Sequence, residues 1–96
     1  MNGFSHHFGL AVRQSREALG WSQEQLAARA DLNRSYVGEV ERGRVAVSLA
    51  TVGKLAQAMD LAQSALVQRG EALHQHYLAR SAQIQHLSNH LAAIAG

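Results

Sequence analysis

Two short amphipathic segments near the middle of the chain constrain its fold more than any other feature. The first, QEQLAARA (23–30), follows Ser22, and Gln25 completes the S-x-x-Q pattern of a capping box. The second begins after Asn33, a residue type that caps helix N-termini, and runs to about Arg42. Two such short helices, joined by about three residues, have little core of their own. Further helices must therefore cover them.

The flanking sequence supplies such helices. Residues 4–19 place apolar side chains near helical spacing, and Gly20 follows as a C-terminal stop. Ser48 precedes a second pattern with one apolar face, over 49–60. No segment alternates with the period of a strand, proline is absent, and only 5% of the chain is aromatic. These features predict an all-α protein.

The C-terminal third continues the helical pattern in two parts. Residues 61–70 look like a short fifth helix, and 71–96 form a longer final one. Charge divides the chain at the same place, since residues 1–70 hold eight of nine Lys and Arg and six of seven acids. We therefore expect a domain over 1–70 and a C-terminal helix over 71–96. The net charge of +2 permits a nucleic-acid partner without requiring one.

Composition argues against several classes of protein. The absence of cysteine excludes a disulfide scaffold and a thiolate zinc site. No apolar run approaches the length of a membrane span. The N-terminal MNGFSHHFG lacks the basic and apolar regions of a signal peptide. We expect a cytoplasmic, nucleoid-associated protein.

Motifs of catalysis and metal binding are also missing. The sequence has no Gly-rich phosphate loop, no nucleophile elbow and no His-Glu-x-x-His. His86 and His90 have a spacing compatible with a metal, but no cysteine or acid nearby completes a site. We expect no enzymatic activity, no cofactor and no metal, and solvated histidines in the tail.

The stretch LGWSQEQLAARADLNRSYVGEVERGR resembles the helix-turn-helix of phage repressor and Cro-type regulators, the xenobiotic-response-element class. The match runs from about Phe8 to Leu66 and includes the ERGR end (41–44) and the Ser-Leu pair at 48–49. Val47 departs from the family, which often has proline there. The resemblance implies a five-helix lambda-repressor-like domain, here with an additional C-terminal helix. It also implies sequence-specific binding of double-stranded DNA by a transcriptional regulator of the repressor type.

In that family the third helix enters the major groove, and its exposed side reaches base edges. Arg34 can donate two hydrogen bonds to guanine, and Ser35 can bond to either groove partner. Glu39 either accepts from cytosine N4 or orients Arg34. Tyr36 stacks on a sugar or a thymine methyl, or touches phosphate. Asn33 could contact adenine, although capping is its favoured role.

Contacts to the DNA backbone are implied at both ends of the motif. Ser22 and Gln23 lie at the front of helix two, where free N–H groups and the positive helix end attract a phosphate. Arg42 and Arg44 flank Gly43 and can reach the backbone beyond the groove, which fixes register without reading sequence. Gly43 is expected at a positive φ that a side chain would penalise.

Glu41 needs another role, because an acid at a DNA surface repels phosphate. In the family the matching glutamate pairs with an arginine of helix one, here Arg16. Such a partly buried pair would fix helix one against helix three, and removing one partner would leave a charge unpaired. The apolar side chains expected in the core are Leu26, Val37, Val40 and Leu55.

The C-terminal pattern repeats apolar residues at spacings of four and three, a heptad seam interrupted by Arg80. The tail either folds back on its own domain or pairs with its copy in a homodimer. A nearly neutral tail with an apolar seam, beyond a complete domain, favours the homodimer. Such a dimer would bind a pseudo-palindromic operator. The orientation of the paired helices stays open. The predicted dimerisation residues are Leu73, Tyr77, Ile84, Leu87, Leu91 and Ile94.

A protein-interaction module is the alternative from another class. Such a module, for example an antitoxin, would bind a partner protein and make DNA binding secondary. A large exposed apolar patch outside the dimer seam would favour it. The expected partners are therefore a double-stranded DNA operator, a second copy of the chain and, in the alternative, a partner protein, with no membrane.

Overall fold

The computed structural model describes residues 3–95, which form five α-helices without a strand among them. α1 packs on α3 and α5, α2 packs on α3 and α4, and α4 packs on α5. The predicted all-α fold is confirmed. Within the described range, no helix combines the length and the apolar character needed to cross a membrane. The helices are α1 (Gly3–Ala18), α2 (Gln23–Ala30), α3 (Arg34–Glu41), α4 (Leu49–Ala58) and α5 (Gln63–Ala95).

Local capping fixes the start of α2 and the tight connection between α2 and α3. The capping box is complete: Ser22 Oγ accepts from the Gln25 backbone N–H at 3.1 Å, and Gln25 Oε1 accepts from the Ser22 N–H at 2.8 Å. Asp31 ends α2 in the left-handed region, at φ 55°. Asn33 then caps α3, because its Oδ1 accepts from the Ser35 backbone N–H at 2.8 Å. Three residues thus suffice to turn the chain.

The core contains the four side chains predicted for it, each no more than 1% exposed. Val12 from α1 and Leu66 from α5 join them and are fully buried as well. Burying an aliphatic side chain of this size contributes about 1.5–3 kcal/mol. The outer helices α1, α4 and α5 therefore supply the apolar cover that α2 and α3 lack.

A glycine brings α1 directly onto α3. Gly9 is buried, and a Cβ at this position would lie 2.7 Å from the carbonyl oxygen of Glu41. Real Cβ atoms do not approach a backbone oxygen this closely, so only glycine fits. Because the two helices cross closely at Gly9, the end of α3 lies within hydrogen-bond reach of Arg16, which follows Gly9 by about two turns of α1.

α5 differs from the sequence-based expectation of two helices over 61–70 and 71–96. One unbroken helix of 33 residues runs through both segments. Gly70 does not end a helix: a Cβ there would lie 2.9 Å from the Phe8 Cα, so this glycine permits close packing of α5 on α1. The functional division of the chain into 1–70 and 71–96 stays a prediction.

The far half of α5 stands away from the rest of the molecule. Every residue from 82 to 95 is exposed, so the alternative in which the tail folds back on its domain is wrong for this stretch. Leu73 is half-buried against the domain. The other seam residues are 54–69% exposed, and they are Tyr77, Ile84, Leu87, Leu91 and Ile94.

Candidate nucleic-acid interface

α3 presents two different faces. Val37 and Val40 point into the core, whereas Arg34 and Ser35 lie exposed at the start of the helix. Within residues 3–95, Arg34 makes neither an ion pair nor a side-chain hydrogen bond. The guanidinium N–H groups of Arg34 are therefore available to donate hydrogen bonds to a partner such as guanine or phosphate.

Two of the five predicted base-contact residues have structural jobs. Asn33 uses its side-chain oxygen to cap α3 by accepting from the Ser35 backbone N–H. Tyr36 is half-buried and packs against the core, with its hydroxyl 3.5 Å from Thr51 Oγ1 of α4. Both residues hold α3 in place, and base contacts from either of them stay predictions.

Glu39 is paired, but not with Arg34. Its Oε2 accepts from Arg42 Nη2 at 2.6 Å and lies 3.5 Å from Arg44 Nη1. The hydrogen bond from Arg42 is the main reason that the pKa of Glu39 is lowered, and the charges of both arginines act in the same direction. The alternative in which Glu39 orients Arg34 is therefore wrong for this structure.

Arg16 and Glu41 form a bidentate pair between α1 and the end of α3. Nε of Arg16 donates to Oε2 at 2.7 Å and Nη2 donates to Oε1 at 2.9 Å. The side chains are 10% and 2% exposed. Nη1 of Arg16 donates to the carbonyl of Trp21 at 2.7 Å, and the hydrogen bond to Glu41 raises the pKa of Arg16. The pair thus joins α1, the turn before α2 and α3.

Gln23 belongs to the same network, which sequence reasoning missed. Its Nε2 donates to Glu41 Oε1 at 3.0 Å, so the side chain predicted to reach phosphate is bound to the buried carboxylate. Gln23 is the first residue of α2, and the sequence of a helix does not indicate which residue of another helix such a side chain contacts. The backbone at the start of α2 keeps the positive end of that helix. Ser22, also predicted to reach phosphate, is exposed there.

One depression gathers most of the predicted site. It lies between the start of α2 and the exposed face of α3, and Arg34 and Arg42 are both part of its lining. Gly38 forms part of its floor, and a Cβ there would lie 3.1 Å from Arg42 Nη2. The site prediction omitted Gly38, although a glycine inside a short helix, which costs about 1 kcal/mol against alanine, was a signal. The lining residues are Gln23, Arg34, Ser35, Gly38, Glu39 and Arg42.

Arg44 lies beside this depression, in a second one shared with Arg42 and the start of α1. The turn between the two arginines depends on Gly43, whose φ is +71° as the sequence predicts. A Cβ at Gly43 would also lie 2.6 Å from the His6 Cα, so the turn has no room for a side chain. Arg34, Arg42 and Arg44 together outweigh Glu39 in charge, which suits a polyanionic partner.

A family model described as "Helix-turn-helix" matches residues 12–62, slightly more than half of the chain. The chain belongs to this helix-turn-helix family. The matched residues include α2, α3, their connection and all of the depression between them. The structural arrangement and the family match therefore agree on the same part of the molecule.

Individual relatives and solved structures are similar to this helix-turn-helix chain. A "hypothetical transcription factor" of Neisseria meningitidis is 43% identical over 51 residues, which are 53% of this chain and 48% of that protein. The chain thus spans about half the length of this relative. The restriction-modification controller protein C.AhdI of Aeromonas hydrophila is 49% identical, with a TM-score of 0.63 over 64% of this chain and 92% of that one.

A third similarity extends further along the chain. The clp gene regulator ClgR of Corynebacterium glutamicum has a TM-score of 0.82 over 88% of this chain and 89% of that one, at 21% identity. At this identity the similarity concerns the fold alone. A match of that extent includes part of α5 beyond the residues that the family model covers.

Proposed function

We propose that this helix-turn-helix protein binds double-stranded DNA sequence-specifically and regulates transcription, with α3 in the major groove. The observation that carries the proposal is the depression between α2 and α3, where the exposed side chains of Arg34 and Ser35 both form part of the lining. An exposed arginine and hydroxyl at the start of a short helix fit base edges, to which α-helices have access in the major groove.

The side chains of this surface divide into two kinds of contact. Arg34 and Ser35 would bond to bases, because nothing within residues 3–95 occupies Arg34. Arg42 and Arg44, beyond the C-terminal end of α3, would bond to phosphates and set the register. The start of α2 would receive another phosphate through its backbone N–H groups.

The buried network of Arg16, Gln23 and Glu41 would keep this surface rigid. It joins α1, α2 and α3 through four hydrogen bonds of 2.7–3.0 Å. A rigid α3 loses little conformational freedom on binding, so more of the interaction energy appears as affinity. Glu41 faces inward and is neutralised by Arg16, which limits its repulsion of phosphate.

The binding unit would be a homodimer, since one domain of this size offers few base contacts. Two copies would contact two half-sites about one DNA turn apart, and the operator would share their two-fold symmetry. The exposed seam of α5 supplies the surface for this pairing. The names of the Neisseria relative and of C.AhdI, a transcription factor and a controller protein, support regulation as the biological role.

The test is binding to a pool of genomic fragments at several salt concentrations. We expect a few fragments to be enriched and log affinity to fall steeply with log salt, because phosphate contacts release counterions. Arg44→Ala should weaken all fragments alike and reduce the salt slope by about 1. A flat salt response together with no enriched fragment would rule the proposal out.

A further inference from the structure

An apolar groove lies between α1 and α5, next to the exposed half of α5. Leu10 of α1 and Leu73, Tyr77 and Ile84 of α5 provide its apolar lining. The same face of α5 continues beyond the groove through Leu87 and on to the end of the helix. The groove and the seam thus form one continuous apolar surface along a single helix.

We propose that this surface is covered by a second copy of the chain whose α5 lies antiparallel to the first. The far end of each α5, with Leu91 and Ile94, would lie in the α1–α5 groove of the other copy. The two α1 and two α5 helices would then form a four-helix packing. The inference rests on the homodimer of the proposed function and adds its orientation and its contacts.

Two-fold symmetry makes the contacts of this arrangement reciprocal. In a two-fold dimer, if residue i contacts residue j of the partner, then j contacts i. A pairing centred near residues 84–87 brings Ile94 of one copy to Tyr77 of the other, and symmetry makes this contact occur twice. A parallel pair would instead align Ile94 with itself and leave the groove beside Leu10 empty.

Charge argues against the parallel pair. Arg80 lies within the seam, and residues 72–95 contain no acid that could neutralise it. Parallel helices would bring the two Arg80 side chains into one layer, where like charges repel. Antiparallel helices separate these side chains by several turns, and each can extend its guanidinium into solvent at the edge of the contact.

The area needed for a stable dimer argues for a long helical occupant. Five large seam side chains, 54–69% exposed, offer on the order of 500 Å² of apolar surface. A standard interface buries about 800 Å² per partner. Only an occupant that covers the groove and the seam together approaches this value. The partner's α5 has the length, since the paired residues 76–95 span about 30 Å.

Engineered cysteines test the orientation directly, because the natural chain has none. The full-length chain carries Tyr77→Cys, Ile84→Cys or Ile94→Cys and is treated with a mild oxidant without DNA. We expect Ile84→Cys to crosslink with itself more completely than either other variant does, because its two copies are offset by only about 4.5 Å along the pair. Ile94→Cys should not, because its two copies lie roughly 25 Å apart along the pair, beyond the roughly 7 Å that a disulfide spans. Ile94→Cys mixed with Tyr77→Cys should form the heterologous crosslink.

Two outcomes would overturn the proposal. Self-crosslinking of Ile94→Cys as complete as that of Ile84→Cys would indicate a parallel pair. A monomer in sedimentation for the unmodified chain, with no crosslink in any mixture, would indicate that another partner covers the seam. All three positions are more than half exposed, and helix content by circular dichroism checks that each variant folds. DNA is absent, so the result is independent of the DNA-binding test.

Discussion

Arg16 and Glu41, 25 residues apart in sequence, meet through two hydrogen bonds of 2.7 and 2.9 Å at the buried junction of α1 and α3. Arg16→Met keeps most of the apolar stem and leaves the Glu41 carboxylate buried without its cation. We expect a loss of about 3–5 kcal/mol in the free energy of unfolding, measured by urea denaturation.

The matched control for this change is Arg13→Met in the same helix. Arg13 pairs with Glu17 at 3.1 Å, and both side chains are more than half exposed. An exposed pair of this type contributes about 0–1 kcal/mol. Equal losses in the two variants would contradict the structural role assigned to Arg16.

Glu39 pairs with Arg42 and Arg44, the two residues proposed to contact phosphate. Glu39→Gln removes the carboxylate that both guanidinium groups face, so we expect higher affinity for unrelated DNA and a salt slope steeper by about 1. Fluorescence anisotropy with random-sequence duplexes at several salt concentrations measures the affinity for unrelated DNA and the salt slope.

Glu17→Gln is the control for the Glu39 variant, since it makes the same change in net charge. Glu17 also pairs with an arginine, but on α1 and away from the depression. If both variants raised the affinity for unrelated DNA equally, net charge alone would explain the effect, and Glu39 would have no local role.

The pH response of Glu39 follows from its lowered pKa. A carboxylate whose pKa falls on folding stabilises the fold above its unfolded pKa, about 4.3, and this contribution disappears as pH falls through the lowered folded value. We expect NMR to show that the Glu39 carboxyl titrates at a lower pH than a glutamate without a cationic partner. In Arg42→Ala its midpoint should rise, because the main hydrogen bond is gone. An unchanged midpoint would show that Arg42 is not the cause.

Two helical glycines should respond to alanine in opposite ways. At Gly9 the new Cβ would meet the carbonyl of Glu41, and backbone cannot move aside easily, so we expect a loss of about 1–3 kcal/mol. At Gly53 the nearest atom is Nε2 of the flexible Gln63 side chain, at 3.2 Å. There alanine's higher helix propensity, about 1 kcal/mol, should preserve or raise the unfolding temperature. A fall at Gly53 that matched Gly9 would contradict this view of the α1–α3 contact.

Local chemistry made much of the fold predictable. The caps at Ser22 and Asn33, the positive φ at Gly43 and the buried faces of the short helices all follow from nearby residues and spacing. The continuity of α5 was not predictable in this way. Gly70 looks like a helix stop in sequence, whereas its function is a tertiary contact with Phe8 of a distant helix.

The partners of polar side chains were predicted less completely than the fold. The pair of Arg16 and Glu41 came from the family resemblance and is present in the structure. Gln23 and Glu39 each had several possible partners within reach. Their choice depends on distances between helices that one sequence does not specify. The sequence thus indicated residues that the structure brings together in one depression, whereas their individual contacts needed the structure, and DNA binding by this surface stays a prediction.

The central claim, sequence-specific binding through α3, is tested most directly by sequencing the DNA that the protein selects from random duplexes. We predict an enriched motif with two inverted half-sites about 10 base pairs apart. Arg34→Ala should lose preference at one base pair of each half-site, at a cost of about 1–3 kcal/mol. A selected pool with no enriched motif, or a motif unchanged by Arg34→Ala, would contradict the account.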